Sequence, residues 1–215
     1  MNIVILTDDK NSWFVPYGVI LKEILISLNH NVKYIYDKKD LIASDICFIL
    51  SCTKIIEKKY LLKSSHNIVV HASDLPKGKG FSPFQWQILE GRNKIPITLF
   101  EADEKVDNGS YYLKDELHLT GNELYDELRK KLAFKIIEMC YTYVNKCNIL
   151  KPLKQKGIEN MYNRRGIVDD ELDIHKSLAE QFNHLRIADN VNYPLYFRMN
   201  GKKYILKIYD ESDTK

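Results

Sequence analysis

His71 closes the apolar run Ile68-Val69-Val70 and stands where a strand gives way to a loop. An imidazole in that place can hold or move a proton near neutral pH. The loop that follows, from Ser73 to Phe84, holds Pro76, Gly78, Gly80 and Pro83 together with Lys77 and Lys79. Glycines bare the backbone N–H groups and lysines add charge, so the loop suits a diphosphate cradle as well as a solvated turn. Asp107 lies in Asp107-Asn108-Gly109, a turn between two later strands, and spacing alone does not tie it to His71. Trp13 and Tyr17 follow the first strand, where they could stack on a base or sugar ring or simply cover the sheet edge. The residues by themselves reach a candidate His–Asp site and stop there.

Other chemistries find little support. Cys47, Cys52, Cys140 and Cys147 make no C-x-x-C pair and no zinc spacing, so reduced core thiols and no metal are expected. No G-x-G-x-x-G follows the first strand, and Gly78-Lys79-Gly80 lacks P-loop spacing. Thirty-two basic and 29 acidic residues leave a formal charge of +3, too weak a field to imply nucleic acid. No apolar run approaches the ~18 residues of a membrane span. Met1 to Leu6 lacks the basic leader of a signal peptide, and a cytoplasmic protein is expected.

The elements that must position these groups read as an α/β protein. Ile3 to Leu6, Val32 to Tyr36, Ile46 to Leu50 and Ile68 to His71 are short apolar strands, with Ile20, Leu21, Ile24, Leu25 and Leu28 at helical spacing after the first. Strands buried on both faces and separated by helices predict a doubly wound, Rossmann-like, mostly parallel sheet with helices on both faces. A short helix over 84–89 and a strand over 95–100 follow, with Ser110 to Leu113 pairing across the Asp107 turn. Thr120-Gly121-Asn122-Glu123 reads as a capping box opening a long helix with Leu124, Leu128, Leu132, Ile136, Cys140 and Val144 on one stripe. Residues 1–148 are expected to form the main domain and 149–215 a small appendage. Lys146 to Asn163 reads as a connector within it. Ile174, Leu178, Phe182 and Leu185 predict a helix, and Asn200-Gly201 joins strands 195–199 and 204–208 in a hairpin.

One block is more specific than any single motif. His71-Ala72-Ser73-Asp74-Leu75-Pro76-Lys77-Gly78-Lys79-Gly80, Pro83, Trp86-Gln87-Ile88 and Gly91 resemble the signature of the 10-formyltetrahydrofolate-dependent formyltransferases. Thr98 and Val106-Asp107-Asn108-Gly109 match its later part. Arg164-Arg165, Asp169-Asp170, Leu172-Asp173, His175-Lys176, Leu185-Arg186 and Tyr193-Pro194 are similar to the tail of the bacterial nucleotide-sugar members.

The resemblance implies formyl transfer from 10-formyltetrahydrofolate, as co-substrate, to a primary amine. His71 would donate to the developing oxyanion, and Asp107 would favour the imidazolium and assist the proton leaving the amine. Thr98 would support that aspartate or a water. Lys54, Ile55, Ile56, Ala102 and Glu104 would line the pterin site, although Ile55 and Ile56 also suit the core face of the next helix. Trp13, Tyr17, Ser73, Lys77 and Lys79 are the candidates on the substrate side.

One position departs from the family. Val69 stands where an asparagine is expected as a second oxyanion donor, and strand alternation puts it on the same side as His71. Asn67 shares that face but sits ~6–7 Å further back. Losing such a donor costs about 100-fold or more in rate elsewhere, which keeps open a non-catalytic module that binds folate or a sugar nucleotide. The length and the tail favour a nucleotide-linked (UDP, dTDP or GDP) amino sugar as acceptor, for cell-surface glycan or lipopolysaccharide synthesis. Methionyl-tRNA and purine-pathway acceptors are the alternatives. The hairpin offers an edge strand through which a homodimer could form.

Overall fold

Along β1 (Asn2–Leu6) the side chains alternate between two buried layers. Ile3 and Ile5 enter one hydrophobic cluster, Val4 and Leu6 the other. A strand apolar on both sides needs cover on both sides, and that requirement sets the architecture. The computed structural model describes residues 1–211. After β1 come α1 (Val15–Ser27), β2 (Asn31–Ile35), β3 (Ser44–Ile49), α2 (Lys58–Leu61) and β4 (Ser64–His71). The two-residue strand β5 (Lys79–Gly80), α3 (Pro83–Leu89), β6 (Lys94–Glu101), β7 (Tyr111–His118) and α4 (Tyr125–Lys146) complete the first 146 residues.

The central sheet has the order β2-β1-β3-β4-β6-β7. β2, β1, β3 and β4 run parallel, and β6 and β7 are antiparallel additions. One face is covered by α1 and α4, with Leu21, Leu25, Leu128, Leu132 and Ile136 in the cluster that holds Ile5, Phe48 and Ile68. The other carries α2 and irregular chain, with Leu41, Ile56 and Leu61 over Val4, Cys47 and Ile49. The expected mostly parallel α/β layer is therefore present. Asn29, at φ 61°, ends α1 in the left-handed conformation that asparagine tolerates.

The chain continues through β8 (Met161–Tyr162), α5 (Phe182–Arg186), β9 (Leu195–Met199) and β10 (Lys202–Leu206). Positive φ at Asn200 (50°) and Gly201 (76°) fits the mirror-image turn of a tight hairpin. That turn starts β10 at Lys202, two residues before the predicted strand. The predicted helix over 174–185 shrinks to the single turn of α5. Asp173 accepts from the His175 N–H, and Ser177 and Glu180 bond each other's backbone and side chain, so polar side chains take the backbone groups a helix would use. The expected connector pairs with the sheet domain instead: β8 runs parallel to β5, and Leu153 exchanges backbone bonds with Tyr111.

The predicted capping box is displaced by one turn. α4 starts at Tyr125, and Glu127 accepts from the Leu124 N–H. Glu123 keeps the box's bond back to the Thr120 N–H but stands before the helix and takes charged partners as well. It accepts from the Thr120 and Gly121 N–H groups, from Lys131 Nζ at 2.7 Å and from Arg186 Nη2 at 2.9 Å. Arg186 is 1% exposed and also donates to the Glu123 carbonyl and to Asn93. This buried pair joins α5 to the start of α4. Removing one partner strands a charge, so Glu123→Ala should lower unfolding stability by about 3–5 kcal/mol. Burial raises the Glu123 carboxyl, but the Lys131 and Thr120 donors outweigh it and bring it down to about 2, against an ordinary 4.5. Its stabilisation, on the order of 3 kcal/mol, is then complete above pH 4.5 and lost as pH falls towards 2. Urea unfolding across that range should show a shallower acid slope for Glu123→Gln than for the native chain. Parallel slopes would refute the assignment.

Candidate active site

His71 ends β4, opposite Thr98 of β6 in the antiparallel register. The chain then folds back over its own strand end. Thr98 Oγ1 donates to the Ser73 carbonyl at 2.6 Å, and Gln87 Nε2 donates to the Ala72 carbonyl at 2.7 Å. A cis Leu75–Pro76 peptide follows. The loop brings the Gly78 carbonyl to 2.8 Å from His71 Nε2. Only a protonated Nε2 can bond a carbonyl, so this contact fixes where the imidazole keeps a hydrogen.

Asp107 arrives from the turn between β6 and β7. Its backbone sits at φ 50°, and its Oδ2 accepts from the Gly80 N–H at 2.8 Å. The same oxygen is 3.6 Å from His71 Nε2, too long for a hydrogen bond but within ion-pair contact. Both side chains are largely buried, at 11% and 14% exposure. Gln155 Nε2 donates to the Asp107 and Gly109 carbonyls and holds the turn from the C-terminal segment. Gly109 is forced, because a Cβ there would lie 1.6 Å from the Glu101 carbonyl oxygen.

His71 and Asp107 line a cavity of about 400 Å³ beyond the carboxyl ends of the parallel strands. One side is walled by Ile49, Ile55, Ile56, Leu61, Val69 and Ala102, with Thr53 and Lys54 at the rim. The other side holds Trp13, Phe84, Ile97, Leu132, Ile136 and Arg129. Lys54, Ile55, Ile56, Ala102 and Trp13 are thus gathered around the His–Asp pair, as is Val69.

Other sequence candidates lie elsewhere. Glu104 is not in the wall and pairs with Lys58 at 3.5 Å on the surface. Tyr17 packs edge-on against Trp13 and Phe134 as sheet cover. Ser73 is buried outside the cavity, and Lys77 is exposed beyond it. Lys79 is 5% exposed and turns away to Glu159 Oε2 at 2.6 Å and Asn108 Oδ1 at 3.2 Å. A lysine neutralised in that way cannot serve a diphosphate cradle at His71. Thr98 does not reach the aspartate either, its hydroxyl being taken by the Ser73 carbonyl and the Leu75 N–H. Asn67 stays in the strand, with Nδ2 on the Leu61 carbonyl, and is not in the cavity wall.

Asp8 escaped the sequence reading. Its Oδ2 accepts from Thr53 N, Thr53 Oγ1 and Lys54 N at 2.8, 3.2 and 2.9 Å, and so ties the loop after β3 to the loop after β1. The signal available was only its place just after the first strand. The four cysteines are free, and burial pushes the Cys47 thiol up to about 12. Among the described residues no group of His, Cys, Asp and Glu could hold a metal, and no helix is long and apolar enough to cross a membrane.

The formyl transferase family profile matches residues 20–142, a span that holds both His71 and Asp107. The chain belongs to that family. A methionyl-tRNA formyltransferase of Ehrlichia canis is 25% identical over 206 residues, covering 93% of this chain and 66% of that protein. This chain spans two thirds or less of the length of the curated relatives it matches. Among solved structures, the methionyl-tRNA formyltransferase from Clostridium thermocellum superposes with a TM-score of 0.82 at 23% identity, covering 100% of this chain and 95% of that one. A 4-N formyltransferase from Francisella tularensis superposes at 0.74 with 19% identity, covering 96% of each. At such identities the superpositions establish the family's fold.

The Asp8 clamp makes a measurable claim about the cavity rim. Asp8→Asn removes a charged acceptor and weakens three bonds to one loop. Amide exchange at Thr53 and Lys54 should accelerate by about 10- to 100-fold while the central strands stay protected. Unchanged exchange at those two amides would show that the loop is held by its apolar contacts alone.

Proposed function

We propose that this chain transfers the formyl group of 10-formyltetrahydrofolate to the primary amine of a nucleotide-linked amino sugar. The observation that carries the reading is the His71–Asp107 contact at the floor of a cavity whose one wall is apolar. The co-substrate supplies a formyl carbon on N10. A wall of Ile49, Ile56, Leu61 and Ala102 with polar backbone at its rim suits a flat pterin ring, and the cavity volume suits a small ligand of that kind.

The chain's own groups divide the work. His71 Nε2–H is committed to the Gly78 carbonyl, with the Asp107 carboxylate in ion-pair contact beside it. Protonated at both nitrogens, the ring has Nδ1–H left to donate to oxygen that gains negative charge at the formyl group. Asp107 balances the imidazolium charge and is placed to receive, through the ring or a water, the proton the attacking amine must lose. Collapse of the adduct then breaks the formyl C–N10 bond, and a proton returned to N10 releases tetrahydrofolate. The apolar wall keeps water away and strengthens both effects. Val69 adds bulk and no donor, so the oxyanion is served by fewer groups than the family pattern provides.

The amino-sugar acceptor is supported by the residues of the tail and by structural neighbours named as sugar N-formyltransferases. Methionyl-tRNA is the second reading, favoured by the names of the curated relatives. Incubation with 10-formyltetrahydrofolate and a panel of UDP-, dTDP- and GDP-amino sugars beside methionyl-tRNA separates the two. Formylation of a sugar is expected, and formylation of methionyl-tRNA alone would overturn the acceptor assignment.

Two substitutions test the chemistry. His71→Asn and Asp107→Asn should each lower kcat by about 10²- to 10⁴-fold with donor affinity largely retained, as measured by steady-state kinetics and titration. A non-catalytic binder would instead show saturable binding and no turnover in the native chain. Val69→Asn restores an amide beside His71 and should raise kcat by about 10-fold or more, within the range an oxyanion donor contributes. A fall in kcat with intact folding would mean that Val69 is part of the donor wall and not a missing donor.

A further inference from the structure

The end of the cavity opposite the apolar donor wall holds a cation that the proposed chemistry leaves unused. Arg129 lies one turn into α4, and Leu132 and Ile136 line the cavity from the same helix face. Its guanidinium lies against two rings, 4.0 Å from the Tyr125 centroid and 5.2 Å from that of Trp13. Cation–π contact with two rings restrains the position of the fork. The side chain is 27% exposed, and burial lowers its pKa, so the charge is partly stripped of water.

Its donors are nevertheless unfilled. Among the described residues Arg129 makes no hydrogen bond, and its nearest carboxylate, Asp189, reaches it only as a long ion pair at 3.9 Å. Asp189 is satisfied by others: the Tyr125 hydroxyl at 2.8 Å, the Val191 and Asn192 N–H groups and the Asn192 side chain. It therefore orients Tyr125, and through it Arg129, without neutralising the guanidinium by a bond of its own. The Trp13 indole N–H, at the same end, also has no acceptor among the described residues. An oriented, half-desolvated fork facing a cavity is an anion site, and guanidinium binds phosphate oxygens two at a time.

We infer that Arg129, in contact with the Trp13 and Tyr125 rings, binds a phosphate group of the acceptor and sets which amine-bearing molecules reach His71. The inference rests on the proposed transfer reaction and adds its phosphate subsite. It also separates the two ligands in space, with the anionic acceptor at the Arg129 end and the pterin against Ile56 and Ala102. A folate carries carboxylates on its tail, and the test distinguishes that source of negative charge.

Calorimetric titration of UDP and dTDP into the native chain, Arg129→Gln and Arg129→Lys tests the site without turnover. Nucleotide affinity should fall about 10- to 100-fold in Arg129→Gln and less in Arg129→Lys, which keeps the charge but loses the fork. In steady-state assays KM for the nucleotide-linked amino sugar should rise by a similar factor, with KM for 10-formyltetrahydrofolate unchanged. Equal nucleotide affinity in all three proteins would overturn the inference, as would a rise confined to the folate KM. Nucleotide binding that depends on Arg129 in a chain that formylates no sugar would sink the transfer reaction and leave the phosphate subsite standing.

Discussion

The N–H at Nε2 of His71 is the point on which the site turns. It is donated to the Gly78 carbonyl, which belongs to the loop after β4, with the Asp107 carboxylate, from the turn after β6, in ion-pair contact at 3.6 Å. A strand end, the loop that follows it and a turn further along the chain meet around one ring nitrogen. The contact is reciprocal, because Asp107 also accepts from the Gly80 N–H and so holds the loop that supplies the carbonyl. Such an arrangement needs backbones that approach closely. At Gly80, φ 92°, an added Cβ would lie 2.5 Å from the Tyr162 carbonyl oxygen, and at Gly109 it would meet the Glu101 carbonyl. The two glycines are therefore geometric conditions of the imidazole's orientation, although neither carries a functional group.

The alternation that buries β1 and β3 on both faces also decides the chemistry of the cavity. Where the sheet ends, both of its hydrophobic clusters contribute to the cavity lining, one through Ile49, Ile56 and Leu61, the other through Ile97, Leu132 and Ile136. His71 stands on the boundary between them. A cavity built this way has two unlike compartments on either side of one imidazole, which is what bringing two different molecules together requires. Polar groups enter from loops and a helix: Thr53 and Lys54 on the first side, Trp13 and, from α4, Arg129 on the second. The loop after β1 serves both, since Asp8 holds the first rim and Trp13 forms part of the second.

Much of this was legible in the residues. The apolar runs fixed the parallel strands because periodicity and burial on two faces are local properties of sequence. The histidine and aspartate could be paired only through resemblance to a family, since a contact between residues 71 and 107 depends on the β4–β6 register and on a loop that doubles back. Lys79 shows the opposite failure. A basic residue between glycines reads as a phosphate ligand, yet Glu159, contributed by an irregular segment with no periodic signal, neutralises it. The helix over 174–185 failed for a related reason: apolar spacing was present, but Asp173, Ser177 and Glu180 offered the backbone local partners that a helix could not match. Arg129 was hidden within the core stripe of α4, where one turn of a long helix faces the cavity and not the sheet.

The segment after α4 is coupled to the chemistry by burial more than by contact with ligand. Arg186 is almost wholly inaccessible, and its charge is tolerated only because Glu123, Asn93 and the Glu123 carbonyl surround it. Those partners lie at the start of α4 and in the chain before β6, so the C-terminal segment cannot shift without exposing or stranding an ion. Three residues on, Asp189 holds the Tyr125 hydroxyl, and Tyr125 supplies one of the two rings that fix Arg129. Gln155, from the same segment, holds the backbone of the Asp107 turn. Both ends of the cavity are therefore braced from beyond residue 148, and the cost of unpairing a buried arginine is what keeps that brace in place.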